Sequence, residues 1–253
     1  MSIASRTDLT HRSDVQNVTE SVIQRLQDVI LGELEPGAEL ASESDLATQL
    51  GVSRLTVREA TKTLQARGLV EVRQGRRPLV AYPSARPMGE FFTVAVRRDP
   101  RRLLDLLEVR RALEVHIASL AATHATRAAI AALEMALGTM RADPDDPVTI
   151  NRADIRFHES LAAATGNQML SFLIEAMEEP LHASRLRSLT GHLARGGTVE
   201  DVIDQHARIL DRVKDRDADG AAAAMRAHLD QTARDLRAAL ARTDQIAPAE
   251  EIR

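Results

Sequence analysis

The sequence predicts a mainly α-helical protein in two parts. A small N-terminal unit of helices with a β-hairpin is followed by an all-α antiparallel helical bundle. Three observations lead there. The chain is rich in Ala, Leu, Arg and Glu, with only 2% aromatic residues and no Trp, and those residues favour helix. Strand-like runs are confined to the first third. Between the parts lies Pro83-Ser84-Ala85-Arg86-Pro87, whose two prolines and small residues read as a linker at 83–87. A chain of 253 residues with 44% hydrophobic content makes one large or two medium domains with a sizeable core.

In chain order, residues 1–14 are polar and read as a flexible arm. From Val15 to Leu31 the residues Val18, Val22, Leu26, Val29 and Ile30 form an amphipathic helical stripe. Glu35-Pro36-Gly37 is a turn, and Ala38 to Leu40 can form a short strand. Ser42, three residues before Asp45, caps a short helix. Gly51 turns the chain by accepting positive φ, and Ser53 caps a second helix. On that helix Val57, Ala60 and Leu64 should face inward, with Arg54, Arg58 and Gln65 opposite. Gly68 closes it. Leu69–Arg73 and Leu79–Tyr82 then pair across Gln74-Gly75-Arg76.

This is a helix-turn-helix with a wing, spanning 15–82. The N-terminal end of its second helix suits a DNA major groove. Between Ser53 and Arg77 there are seven Lys/Arg against two Glu. The formal net charge of −4 does not oppose DNA binding, because phosphate attraction is local. A bare two-helix corner is about as often an ordinary αα turn. The wing and the helix arginines favour DNA.

Beyond the linker, helices are predicted near 88–96, 101–125, 127–141, 148–164, 168–187, 199–215 and 218–241. Their breaks fall at Asp-Pro pairs, Gly166, Gly191 and Gly196-Gly197. The bundle covers 88–242, and a polar tail occupies 243–253. The absence of Cys excludes disulfides and thiolate metal sites. With no apolar leader and no run near the ~18 residues of a membrane span, the expectation is a soluble, cytoplasmic protein without a membrane partner.

Four bundle residues form a constellation. Asp154 and His158 are four apart and share a helix face. His206 and His228 lie on later helices, among apolar neighbours such as Val202, Ile203, Ile209, Leu210 and Met225. Buried imidazoles need partners and a buried carboxylate needs a counter-charge. A divalent cation serves all four. Three imidazoles and a carboxylate suit zinc first, with Ni, Co, Mn or Fe(II) also fitting. The other reading is core histidines paired with nearby acids. His11, His116, His124, His182 and His192 lack such an arrangement and read as surface or packing residues. Arg110 can offer a planar fork to a carboxylate, but on its own it reads better as the i,i+4 partner of Glu114 on a solvated face. Gly166-Asn167 reads as a turn and cap.

The stretches ILGELEPGAEL and SESDLATQLGVSRLTVREATKTLQARGLVEV resemble the winged helix-turn-helix of the GntR family of bacterial transcription regulators. RRLLDLLEVRRALE, DIRFHESLAAATGN and QHARILDRVKDRDADGAAAAMRAHL resemble the FCD effector domain of its FadR-like branch. The resemblance spans about 15–240. It implies that Arg54, Thr56 and Arg58 touch bases and phosphates, and that Gly75 and Arg76 form the wing tip. Ser42 joins them in the candidate DNA-facing set. It also implies Asp154, His158, His206 and His228 as metal ligands. Arg110 then becomes an effector-carboxylate contact, with Asn167 as a second candidate. Departures fall at Ser44, where relatives carry a basic residue, at Leu55, and at Arg77-Pro78, where a second wing glycine is usual.

The expected function is therefore a dimeric DNA-binding regulator, a repressor rather than an activator and not an enzyme. It would act on a near-palindromic double-stranded operator under control of a small organic or sugar acid. The rival is a metal-dependent helical hydrolase or lyase fused to a DNA-binding module, with Glu159 or Glu175 as its base. A purely structural metal is a third reading.

Overall fold

A computed structural model of the protein describes residues 6–246. They divide into two compact units that meet between Pro87 and Met88.

In the first unit, α1 spans Arg6–Glu33, α2 Glu43–Leu50 and α3 Arg54–Ala66. Strands β1 (Val70–Glu71) and β2 (Leu79–Val80) follow. The expected flexible arm differs: Arg6–Asp14 continues α1, and residues 1–5 lie outside the described set. No Gly or Pro interrupts this stretch, and extending a formed helix costs far less than nucleating one. The buried stripe of α1 is Val22, Ile23, Leu26 and Ile30, whereas Val18 is exposed. These side chains pack on Leu46, Ala47, Val57, Ala60, Leu64, Val70 and Val80.

Local chemistry sets the turns. The Ser42 hydroxyl accepts from the Asp45 N–H at 3.2 Å and donates to the Asp45 carboxylate at 2.6 Å. Gly51, at φ 67°, ends α2 by donating to the Ala47 and Thr48 carbonyls. The Ser53 hydroxyl accepts from the Thr56 N–H at 3.0 Å and starts α3. β1 and β2 pair antiparallel, Val70 with Val80 and Glu71 with Leu79. Glu39 adds a third, single-residue bridge to Leu79, as the short strand-like run at 38–40 suggested.

The second unit is all helix among its described residues. It comprises α4 (Arg86–Arg98), α5 (Arg102–His124), α6 (Arg127–Ala142), α7 (Pro147–Ala164), α8 (Gln168–Leu193), α9 (Val199–Lys214) and α10 (Ala218–Ile246). Helix α4 begins at Arg86, inside the expected linker, and α10 runs to Ile246, inside the expected tail. Helix α10 packs along α5, α8 and α9, while α7 packs on α5, α6 and α8. The core is Leu, Ile, Ala, Met and Val213 around the fully buried Phe157, with half-buried Phe92 packed against it.

Helix α8 is longer than the sequence reading. Gly191 does not break it. A Cβ at Gly191 would stand 2.6 Å from the Asp235 carbonyl oxygen, so glycine here permits close contact of α8 with α10. Among the described residues no helix is long and apolar enough to cross a membrane.

Candidate functional sites

The bundle brings the four expected ligands together. One ligand atom from each of Asp154, His158, His206 and His228 lies within 4.8 Å of all the others. The three histidines are 1%, 0% and 4% exposed. Helix α7 supplies Asp154 and His158 one turn apart, α9 supplies His206 and α10 supplies His228. The rings pack against one another and on Phe157.

Each imidazole is held from behind by an acceptor. His206 Nδ1 donates to the Val202 carbonyl at 2.8 Å. His228 Nδ1 donates to Gln205 Oε1 at 2.9 Å, and His158 Nδ1 to the Glu114 carboxylate. With the proton on Nδ1, every Nε2 points a lone pair at the centre. There Nε2 of His206 stands 3.0 Å, and Nε2 of His158 3.7 Å, from Asp154 Oδ1. Both nitrogens are buried without a hydrogen bond. Facing acceptors in a buried pocket repel unless a cation lies between them. Outer partners that fix the ring tautomer are the usual surroundings of imidazole ligands. The residues therefore fit a divalent transition metal.

Protonation is the competing way to neutralise the pocket. Burial pushes the His158 imidazole down, but Glu114 and Asp154 pull it up further, and the net shift is upward. Burial also lowers His228, here reinforced by His206 and His158, which keeps it neutral and able to ligate. Burial raises the Asp154 carboxyl, yet His158, His206 and Arg185 hold it well below the ordinary range.

Arg110 is turned inward at 2% exposure. It does pair with Glu114 through Nε, but inside the bundle rather than on a solvated face. Burial pushes the Glu114 carboxyl up, while Arg110 and His158 overcome this and hold it far below the ordinary range. Arg110 Nη2 remains buried without an acceptor and Arg110 lines a cavity of about 50 Å³. By the rule that one water needs roughly 10–15 Å³, this volume holds a handful of small groups. Asp154, His228, Asn151, Arg185, Gln205, Gln231 and Asp235 also line it.

Several site residues were not singled out in the sequence. Glu114 appeared only as a surface partner for Arg110. Arg185, 7% exposed, forks onto Glu178 at 2.5 and 3.0 Å and brings Nε within 2.6 Å of Asp154 Oδ2. Its signal in SRLRS is indistinguishable from that of a solvated arginine. His192, read as a surface or packing residue, is buried at 8% exposure and lines the cavity beside Asp235. Asn167 is not brought to the site. It is exposed and caps α8 by accepting from the Met169 N–H at 3.0 Å. Neither Glu159 nor Glu175, the two bases named for the rival reading, lines the cavity.

On the winged unit, Arg54 and Arg58 are exposed on one face of α3 and Arg76 is exposed at the wing, beside Gly75 with φ 71°. The seven cations are not equivalent. Lys62 pairs with Glu59, Arg67 with Glu20 and Arg73 with Glu71. Arg54, Arg58, Arg76 and Arg77 have no carboxylate partner among the described residues. Arg54 instead donates to Ser44 Oγ at 2.7 Å. Thr56 is half-buried in the Ser53 cap. The Ser42 hydroxyl accepts from the Asp45 N–H and donates to the Asp45 carboxylate, so it starts α2.

A winged helix-turn-helix joined to an all-α domain with a buried polar cavity defines a ligand-responsive DNA-binding regulator. Comparison with known proteins agrees. Residues 18–80 match the family model described as bacterial regulatory proteins, gntR family, and residues 105–231 match that of the FCD domain. The chain is 34% identical over 199 residues to the HTH-type transcriptional regulator LutR of Bacillus subtilis (strain 168), covering 78% of this chain and 91% of that protein. It is 29% identical to the galactonate operon transcriptional repressor of Escherichia coli (strain K12), covering 81% and 90%. The solved structure of Streptococcus agalactiae GntR superposes with a TM-score of 0.66 at 28% identity, covering 85% of this chain and 99% of that one. The chain belongs to the GntR family of transcription regulators, in the branch that carries an FCD domain. These relatives are regulators, not enzymes.

Proposed function

We propose that the protein is a homodimeric repressor whose operator affinity is set by a small carboxylate bound beside a metal ion in the bundle. The observation that carries this is a group of buried, unpaired atoms gathered in the bundle interior, at the four-residue cluster and at Arg110 beside the cavity. Two imidazole Nε2 atoms and the buried Arg110 Nη2 lack partners. Asp154, His158, His206 and His228 would hold the ion, which when bound supplies a positive centre for the effector's carboxylate. Arg110 would take a second contact to that carboxylate. Zinc is the first choice of metal on donor chemistry. Repression is the sign printed for the galactonate operon relative.

Arg54, Thr56 and Arg58 of α3, with Arg76 at the wing, are the proposed DNA contacts. A two-fold dimer would read a near-palindromic operator. The effector alters DNA affinity only to the extent that it binds the DNA-competent and DNA-incompetent arrangements unequally.

Selection of operator DNA from a random duplex library by the intact protein tests the first half of this reading. The recovered sites are expected to hold two related half-sites in opposite orientation. On the recovered site Arg58→Ala should weaken binding and lower the salt slope by about one. Equal affinity of the variant across salt concentrations would remove Arg58 from the interface.

A further inference from the structure

The outward tip of α3 carries a side chain that the proposed DNA contacts leave out. Leu55 is 57% exposed. The buried face of this helix is Val57, Ala60, Thr61 and Leu64. At 3.6 residues per turn, Leu55 falls almost directly opposite that face. The other exposed residues of α3 are Arg54, Arg58, Glu59, Lys62, Gln65 and Ala66. Leu55 is the one large apolar side chain among them. A lone leucine on an ordinary surface calls for no explanation. This one stands in the first turn of the second helix, the part of a helix-turn-helix that meets base edges.

Its polar neighbours are engaged within the protein. Arg54 Nη2 turns back to α2 and donates to Ser44 Oγ at 2.7 Å. The Thr56 hydroxyl lies 2.8 Å from that of Ser53 in the helix cap, and Thr56 is half-buried. Leu55 is therefore the side chain that this turn projects freely. Arg58 follows one turn on, exposed and without a carboxylate partner among the described residues. Residues three apart on a helix hold their Cβ atoms about 5–6 Å apart. At about 3.4 Å per base step, Leu55 and Arg58 together span about two base pairs.

Leucine neither donates nor accepts a hydrogen bond. Laid on the edge of guanine, adenine or cytosine, it would cover N7, O6, N6 or N4 and leave them unpaired, at a cost to binding. The apolar group that the major groove does present is the C5-methyl of thymine. The Arg58 fork, by contrast, fits guanine O6 and N7.

We infer that Leu55 is a specificity residue that reads a thymine methyl in each operator half-site, within about two base pairs of the base reached by Arg58. The inference rests on the docking of α3 proposed above and adds which base its tip selects.

Deoxyuridine scanning of the operator recovered from the random duplex library tests it with the intact protein. Each thymine is replaced in turn, in both half-sites, which removes the methyl and keeps the base pair. At one position the wild type is expected to bind about fourfold more weakly per half-site, the worth of one buried methyl group. Leu55→Ala should bind the thymine operator more weakly by at least that factor and no longer distinguish deoxyuridine from thymine there. Alanine is a better helix former than leucine at this exposed position, so the fold is kept. A methyl effect transmitted through DNA shape would persist in the variant, and that persistence overturns the inference. So does an unchanged affinity at every deoxyuridine position. Arg58→Ala separates the two readings: weaker binding there without any methyl effect leaves the docking of α3 standing and removes Leu55. Unchanged binding in both Arg58→Ala and Leu55→Ala overturns both.

Discussion

Arg110→Ala is expected to lower the stability of the bundle by about 3–5 kcal/mol, the usual cost of removing one partner from a buried ion pair. Arg110 and Glu114 are both sealed from solvent, with side chains 2% exposed. Without the guanidinium, Glu114 keeps only His158 as a counter-charge. The expected stability loss depends on pH. The Glu114 carboxyl is depressed in the folded protein, so its ionised form stabilises the fold above the ordinary value of 4.5. That contribution is lost as the pH falls through this value and below. The gap in Tm between wild type and variant should therefore narrow on acidification. Replacing both partners, as Arg110→Met with Glu114→Gln, should recover much of the stability, because no charge is left unpaired. It should not recover the response to a carboxylate, since the fork is gone. Operator binding should persist in the double variant. Its loss there would make Arg110 a structural residue of the whole protein rather than an effector contact.

His206→Ala is expected to weaken zinc binding by more than about 100-fold, because loss of an outer partner alone costs 10–100-fold. Gln205→Ala, which removes the group behind His228, should fall in that lower range. Competition against a chelating dye, with elemental analysis, measures both. The stability pattern is equally diagnostic. In chelator, His206→Ala removes the Nε2 lone pair that faces Asp154 Oδ1 at 3.0 Å. Wild type and variant should then melt closely together. With zinc present only the wild type should gain, by mass action. Full zinc occupancy in His206→Ala would dissolve the site.

Much of this was legible in the sequence because it follows helical period and short-range capping. Ser53 and Gly68 bound α3. The inward set Val57, Ala60 and Leu64 is fully buried. Asp154 and His158 meet because they are one turn apart. His206 and His228 point inward because their neighbours are apolar. What escaped needed three dimensions. Arg110 and Glu114 are paired at i,i+4 on any helix, and only the packing of α5 against α7, α9 and α10 decides whether that face is wet or dry. Arg185 and His192 sit on α8, whose mixed face gives no periodic signal. Gly191 looked like a break because its contact with α10 is invisible along the chain. The charge count over α3 and the wing was also too generous. Three of its seven cations are paired with acids, two of which, Glu59 and Glu71, lie close in sequence and one, Glu20, far away.

The central claim is that a carboxylate bound at the Asp154–His158–His206–His228 cluster sets operator affinity. The most direct measurement is anisotropy titration of labelled, selected operator with zinc-loaded protein at fixed salt, with and without a panel of aldonates (D-gluconate, D-galactonate and D-mannonate). At least one aldonate should shift the operator Kd by about 5-fold or more, the lower range of allosteric coupling. His206→Ala should keep its DNA affinity and lose the shift. An unchanged operator Kd for the zinc-loaded wild type, at an aldonate concentration that saturates the cavity by calorimetry, would contradict the account.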